Sequence, residues 1–111
     1  MMFSAALLSR ADLPKVLIAV LDDLQRTLDE RFQEPQSEQL GRPTSRRAHL
    51  ERQLRAAQRR GDLDPAGDAA ALAAELIALR DGLLLQWAVD PDAIDVVAVM
   101  EDHLRRLHAA D

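Results

Sequence analysis

The sequence predicts an all-α fold, and three features of its 111 residues carry that prediction. Alanine and leucine supply most of the hydrophobic residues, whereas β-branched residues are few and tyrosine is absent, which favours helices over strands. Apolar residues also recur at spacings of three and four through long stretches, the period of one helical face. Because the chain has the length of one domain, we expect a single all-helical domain over residues 1–111, an antiparallel bundle of four to five helices.

The composition excludes several classes of function. The absence of cysteine excludes disulfide scaffolds, zinc–thiolate sites and thiol catalysis. Nineteen acidic residues against fourteen basic ones give a formal net charge of −5, so the chain as a whole does not attract nucleic acid or an anionic membrane. No apolar stretch approaches the ~20 residues that span a bilayer, and the apolar N-terminus lacks the basic leader of an export signal. We therefore expect a cytoplasmic protein without membrane contact.

The first clear helix of the sequence follows a short apolar segment, residues 2–9, which has room for two helical turns. Asp12 and Pro14 are typical of a helix start, since the carboxylate accepts first-turn amide hydrogens and proline needs no intrahelical acceptor there. A sustained amphipathic stripe follows. It consists of Leu13, Val16, Leu17, Val20, Leu21, Leu24, Leu28 and Phe32.

A flexible loop and a second helix follow this stripe. Prolines, a glycine and polar side chains interrupt the periodicity over residues 34–44, where we expect the loop. Thr44 or Ser45 is a suitable cap for the second helix, and Gly61 suits a left-handed position at its end.

The second half of the chain predicts a helical hairpin over residues 69–108. Asp68 is a suitable cap for a helix over 69–89, and Asp90 and Pro91 form a tight connection into the last helix. Apolar residues cover well over half the circumference of the first hairpin helix. An amphipathic helix with one solvent-exposed side has a narrower apolar face than this. We therefore expect two hairpins to form a four-helix bundle across a two-fold dimer.

The expected dimer interface uses the apolar faces of the two hairpin helices. It comprises Leu72, Leu76, Leu79, Gly82, Leu83, Val97, Met100 and Leu104. Glycine inside a helix costs about 1 kcal/mol relative to alanine, so a packing role for Gly82 in close helix approach is one interpretation. The other is that Gly82 only kinks the helix, with Arg80 and Asp81 on its narrow wet side.

Positive charge is concentrated in the second helix. Residues 45–60 carry six arginines and one glutamate, and Arg52, Arg55 and Arg59 fall on one side of the helix. Phosphate contact is one interpretation of this pattern. The other is a solvated arginine face that balances the acidic hairpin, since no groove-reading helix or stacking aromatic accompanies it.

The residues offer no catalytic or metal site by local spacing. His103 and His108 are five residues apart and point to different faces of a helix, whereas metal-binding pairs on helices use spacings of three or four. Glu101 and Asp102 are adjacent and diverge on the helix surface. No glycine-rich phosphate loop or nucleophile elbow is present. We expect no enzymatic activity, cofactor or metal.

Residues 55–107 carry a recurrent set of local patterns. These are Arg60-Gly61-Asp62-Leu63 at the end of one helix, Ala69 to Leu79 at the start of the next, Asp81-Gly82-Leu83 in its middle, Gln86-Trp87 near its end and Asp90-Pro91 in the turn. Together they resemble the C-terminal region of TetR-family transcriptional regulators. Residues 13–33 are compatible with an earlier helix of that region, and residues 34–43 are interpreted as an insertion.

The resemblance implies a homodimer through the last two helices, 69–89 and 92–108, and an inducer pocket among the preceding helices. For a small hydrophobic effector the expected pocket residues are Leu24, Leu28, Leu54, Ile77, Trp87 and His103. The alternative is a self-contained helical module that binds a protein partner through the hairpin and has no small ligand.

The family reads DNA through an N-terminal helix-turn-helix, and nothing in residues 1–44 resembles that motif. DNA contact is therefore expected only through a segment absent from this sequence. Three interpretations fit: an isolated regulatory domain, a truncated gene product, or a chain whose start lies upstream of Met1.

Overall fold

A computed structural model describes residues 9–33 and 43–110. These residues form four α-helices: α1 (Lys15–Gln33), α2 (Pro43–Arg60), α3 (Ala69–Val89) and α4 (Val96–Ala110), with a 3₁₀ turn at Arg10–Asp12. No strand occurs in the described part of the chain, so the predicted all-α class is confirmed. The helical turns expected in residues 2–9 lie outside the described residues.

The start of α1 differs in detail from the expected cap. The Asp12 carboxylate accepts hydrogen bonds from the amide nitrogen (2.9 Å) and hydroxyl (3.2 Å) of Ser9, so it closes the preceding 3₁₀ turn. The first helical acceptor of α1 is the carbonyl of Pro14, which receives the amides of Leu17 and Ile18 at 2.9 and 3.1 Å. Asp12 therefore acts one turn earlier than predicted.

Helix α2 begins at Pro43, inside the segment expected to be a loop. Thr44 and Ser45 consequently belong to its first turn and do not precede the helix as caps. The remainder of the expected loop, residues 34–42, lies outside the described residues. At the other end, Gly61 has a φ of +85°, the left-handed conformation predicted for the residue that ends this helix.

Helix α3 has the predicted bounds, and Asp68 caps it by accepting the amide of Ala71 at 3.0 Å. Helix α4 starts later than expected, at Val96, because the cap is Asp95, whose carboxylate accepts the amide of Ala98 at 3.0 Å. The carboxylate of Asp90 instead accepts the amide of Asp92 within the connection. The expectation of a last helix from residue 92 is therefore wrong by about one turn.

The hydrophobic core draws aliphatic side chains from all four helices. It comprises Leu13, Val16, Leu17, Leu21, Leu24, Leu28, Leu50, Leu54, Ala57, Ala69, Ala73, Leu76, Leu83, Leu84, Val96, Met100 and Leu104. Helix α3 packs on α2 as well as on α4, and α4 packs on α1. The broad apolar surface of the hairpin is thus partly used inside one copy of the chain. None of the described helices is long and apolar enough to cross a membrane.

Candidate functional site

Arg80 is the one charged side chain that is buried among the described residues, with 6% of its surface exposed. It points inward because position 80 shares a face of α3 with the buried Ala73, Leu76 and Leu84, at the spacing of successive helical turns. The interpretation that placed Arg80 on the wet side of the helix is therefore wrong, whereas Asp81 is exposed as expected.

Neighbouring polar groups satisfy the Arg80 guanidinium only in part. Its Nη2 donates to the hydroxyl of Thr27 at 3.0 Å, and its Nη1 donates to the carboxylate of Asp81 at 3.2 Å. Its Nε lies 3.6 Å from the carboxylate of Asp23, beyond hydrogen-bond distance, and has no acceptor. A buried N–H without an acceptor is costly, so this donor is a point where a ligand group gains free energy.

Burial is the largest influence on the protonation of this side chain. It lowers the pKa of Arg80, because a charged guanidinium loses hydration inside the protein. The charge of Arg46 lowers the pKa further, while Asp23 and Asp81 raise it and partly compensate. The two arginines therefore repel each other in a place where acidic groups do not fully neutralise them.

A cleft of about 310 Å³ opens beside Arg80 between α1, α2 and α3. We call it the Arg80 cleft. Its lining comprises Ala19, Val20, Asp22, Asp23, Arg26, Arg46, His49, Leu50, Gln53, Leu76, Ile77 and Arg80. One part of this lining is aliphatic and the other is charged, so a molecule with an apolar body and a polar group matches it.

The carboxylate of Asp23 lies close to three guanidinium groups in this cleft. Asp23 pairs with Arg26 on its own helix, and its Oδ2 atom lies 3.7 Å from Arg46 and 3.6 Å from Arg80. The neighbouring Asp22 is engaged elsewhere, 2.9 Å from Arg10. Arginines from α1, α2 and α3 therefore converge on a single acidic side chain.

The opposite side of α3 is exposed and built from small and aliphatic residues. We call it the outer face of α3, and it comprises Ala71, Ala74, Ala78, Gly82, Leu85 and Val89. Leu85 and Val89 are 68% and 80% exposed, and they border an open hollow with Ala93 and Ile94 of the α3–α4 connection. Large exposed aliphatic side chains beside a row of small residues are typical of a surface that a partner covers.

Gly82 is not in close contact with another element among residues 9–33 and 43–110. A methyl group placed on its Cα would meet no atom of these residues within 4 Å outside its own helix turn. The helix-approach interpretation of Gly82 therefore requires a partner other than the described residues.

Residues 29–109 match the sequence model of a family described as BetI-type transcriptional repressor, C-terminal. The chain belongs to this TetR family. The match confirms the resemblance predicted from residues 55–107 and extends it into α1. Neither a curated protein nor a solved structure matches the chain. The C-terminal regions of TetR-family regulators have regulatory rather than catalytic roles, which fits the expectation that this chain is not an enzyme.

The aliphatic residues expected to line an effector pocket belong to the hydrophobic core or pack against it, and they do not line one common cleft in this TetR-family region. Ile77 lines the Arg80 cleft. Leu24 and Leu28 are buried in the hydrophobic core. Leu54 is also fully buried and borders a second, smaller cleft of about 240 Å³ that Leu72 lines as well.

The two remaining expected pocket residues lie away from the Arg80 cleft. Trp87 is partly buried and packs against the core near the end of α3. His103 projects from α4, and its Nε2 lies 3.2 Å from the carboxylate of Glu75 on α3. Sequence reasoning found one wall of the cleft through Ile77 and missed its arginines, because a charged residue in an apolar helix is ordinarily assigned to the solvent side.

The residues expected at a dimer interface divide into two groups. Leu76, Leu83, Met100 and Leu104 are at most 4% exposed and belong to the core of one copy, which leaves them little surface for a partner. Leu72, Leu79 and Val97 are half-buried against that core. Gly82 alone lies on the outer face of α3. Leu72, Leu76, Leu79 and Leu83 form a leucine stripe that is fully or partly buried inside the chain, and the outer face of α3 lies about a third of a turn around the helix from it.

Two arginines of the basic helix α2 form local ion pairs. Arg55 pairs with Glu51 one turn earlier at 2.7 Å, and Arg60 pairs with Asp62 in the following turn at 3.0 Å. Arg52 and Arg59 are exposed. No cluster of three or more histidine, aspartate or glutamate side chains within residues 9–33 and 43–110 could hold a metal ion.

Proposed function

We propose that this chain is the dimerisation and effector-binding region of a TetR-type regulator, with a small molecule in the Arg80 cleft and a second copy of the chain on the outer face of α3. One observation carries the proposal: α3 lines the cleft with Leu76, Ile77 and Arg80 and exposes Ala78, Gly82 and Leu85 on its opposite side. A single helix thus separates the two surfaces that such a regulator needs.

The composition of the outer face supports a second copy of the chain as its partner. Small residues at spacings of three and four allow two helix backbones to approach closely, and Leu85 and Val89 would supply apolar area at one end. Two acidic side chains, Glu75 and Asp81, are exposed at the edges of this face, and they pair with His103 and Arg80 of the same chain at 3.2 Å each. The family match gives the same expectation, because TetR-family C-terminal regions typically dimerise.

The structure of the Arg80 cleft supports a small effector. Its volume of about 310 Å³ is at the lower end of the range for small-molecule sites, and its lining combines aliphatic walls with a few convergent polar groups. Because α1, α2 and α3 all contribute, a ligand that favours one packing of these helices would also favour one position of α3.

DNA binding and location follow from this assignment. We assign operator contact to a segment other than the four described helices, because α2 packs on α3 and uses Arg55 and Arg60 in local ion pairs. A cytoplasmic location and a single regulatory domain are part of the same proposal.

The experiment that tests the proposal combines two substitutions with a common control position. Leu85→Glu places a charge on the outer face, and we expect sedimentation equilibrium to show a monomer where the unmodified chain is a dimer. Ala66→Glu adds the same charge at an exposed turn position and should leave the dimer intact.

Ala19→Trp tests the cleft. Ala19 is exposed and borders the cleft, so the bulky ring obstructs the cleft without entering the core. Ligands from a small-molecule panel that raise the melting temperature of the unmodified chain should fail to do so with Ala19→Trp and should still do so with Ala66→Trp. A dimer without any ligand response across the panel would favour the alternative, a helical module that binds only protein partners.

A further inference from the structure

We infer that the Arg80 cleft selects a molecule that carries one carboxylate on a small apolar body, with the carboxylate held beside the guanidinium groups of Arg46 and Arg80. The inference rests on the proposed effector role of the cleft and adds the chemical class of the ligand. The first support is convergence: Arg46 Nη1 and Arg80 Nε lie 3.7 and 3.6 Å from the same oxygen of Asp23, so the two groups are close to each other.

The second support is the set of donors that line the cleft. Arg26, Arg46 and Arg80 line it together with two carboxylates, Asp22 and Asp23, and the carboxylate of Asp22 is directed to Arg10. Asp81, outside this lining, also pairs with Arg80 at 3.2 Å. His49 adds a further nitrogen donor or acceptor to the lining. The cleft is therefore rich in hydrogen-bond donors that suit an anionic group.

The third support is the unmet hydrogen-bonding capacity of Arg80. Its Nε has no acceptor, although the side chain is only 7% exposed. Guanidinium groups match carboxylates in shape and donate to them in pairs, and charge-assisted hydrogen bonds of this kind are stronger than neutral ones. A carboxylate beside these two arginines would offset their repulsion and accept the hydrogen bond from Arg80 Nε–H that Asp23 does not accept.

The aliphatic part of the lining sets the rest of the ligand. Val20, Leu50, Leu76 and Ile77 form an apolar wall beside the arginines, so the molecule that fits has a short hydrocarbon portion next to its acid group. Sugar acids and other polyhydroxylated acids would leave their hydroxyl groups against this wall without partners, which is unfavourable.

The experiment uses three six-carbon probes of equal size: hexanoate, hexanamide and hexylamine. Each is added to the full chain at about 10 mM, roughly tenfold above the ~1 mM Kd that a fragment of this size reaches, and the melting temperature is measured. We expect hexanoate to raise the melting temperature by about 5 °C, and the amide and the amine to raise it by far less. Added salt should reduce the hexanoate effect.

Single arginine substitutions test whether hexanoate stabilises the chain by binding in the Arg80 cleft. Arg46→Met should weaken hexanoate about tenfold, and Arg80→Met should abolish its effect; Arg59→Met removes the same charge from an exposed position outside the cleft and should leave the response unchanged. If Arg80→Met fails to fold, the contrast between Arg46→Met and Arg59→Met carries the test. An equal loss of hexanoate stabilisation in Arg46→Met and Arg59→Met would overturn the inference.

The outcomes separate this inference from the proposed function. If hexylamine or hexanamide stabilises the chain as well as hexanoate does, and Ala19→Trp removes that effect, the effector role stands and the carboxylate class is wrong. If hexanoate gives no shift at about 10 mM, the carboxylate class is also wrong. If no ligand response depends on Ala19→Trp and the chain is monomeric, the proposed function itself fails.

Discussion

The two sides of α3 are made from residues of different sizes and have different environments. The inner side carries Leu76, Leu83 and Leu84 with one buried arginine, and it builds both the core and the wall of a cleft. The outer side carries alanines, Gly82 and two exposed aliphatic residues near its end. Large side chains fill space inside one copy, whereas small ones leave room for a second backbone. Under the proposed function, α3 therefore separates a side that packs inside one copy from the face assigned to a second copy.

The largest expected difference between the two sides concerns truncation of leucine. Leu76→Ala removes a fully buried side chain and should lower the free energy of unfolding by about 3 kcal/mol, because a cavity remains in the core. Leu85→Ala should leave the stability of one copy unchanged within about 0.5 kcal/mol, since the side chain is 68% exposed. Urea denaturation measures both, at a concentration low enough to dissociate dimers.

A concentration series sharpens this contrast. The destabilisation from Leu76→Ala should be similar at every protein concentration, whereas an effect of Leu85→Ala should grow as the concentration rises and dimers form. A large loss of stability in Leu85→Ala at the lowest concentration would mean that the outer face packs inside one copy.

Removal of the buried arginine should have an intermediate effect. Arg80→Ala deletes both the guanidinium group and the aliphatic stem, which we expect to cost about 2 kcal/mol in unfolding free energy. Arg80→Met keeps most of the volume and removes the desolvated charge, so it should cost less than about 1 kcal/mol. Equal losses in the two variants would show that the ion pairs of Arg80, rather than its volume, stabilise the inner side.

The smallest expected effect has opposite signs in the two states of the chain. Gly82→Ala meets no atom within 4 Å in one copy, so the better helix propensity of alanine should stabilise the monomer by about 0.5–1 kcal/mol. If backbones approach closely at this position, the added methyl group should weaken the dimer. Thermal unfolding of dilute protein and the dimer dissociation constant measure the two effects, and a stabilised monomer with an unchanged dimer would exclude close contact at Gly82.

Local signals made much of the fold predictable. Asp68 before an uninterrupted alanine-rich run defined the start of α3, and Gly61 defined the end of α2, because caps and left-handed positions depend on few neighbouring residues. The start of α4 was not predictable in the same way. Asp90 before Pro91 and Asp95 before Val96 both have the character of caps, and only tertiary packing decides between them.

The candidate site could not be predicted from local sequence signals such as helix caps. The apolar circumference of α3 does not indicate which side of the helix faces α2, so the leucines assigned to a partner include Leu76 and Leu83, which are buried inside one copy. The burial of Arg80 on α3 depends on Thr27 and Asp23, which both lie on α1, more than fifty positions earlier in the sequence. No local pattern links residues so distant in sequence.

Single-cysteine cross-linking tests the assignment of the outer face most directly, because the chain has no cysteine of its own. Cysteine is placed at Ala74, Ala78, Gly82 or Leu85 on the outer face, at Leu79 on the leucine stripe, or at Ala66 in the exposed turn. Across a two-fold axis a residue meets its own copy, and a disulfide forms when the two Cα atoms lie within about 7 Å. We predict a disulfide-linked dimer from at least one outer-face variant under mild oxidation and none from Leu79→Cys or Ala66→Cys. Cross-linking at Leu79 alone, or at no outer-face position, would contradict the account.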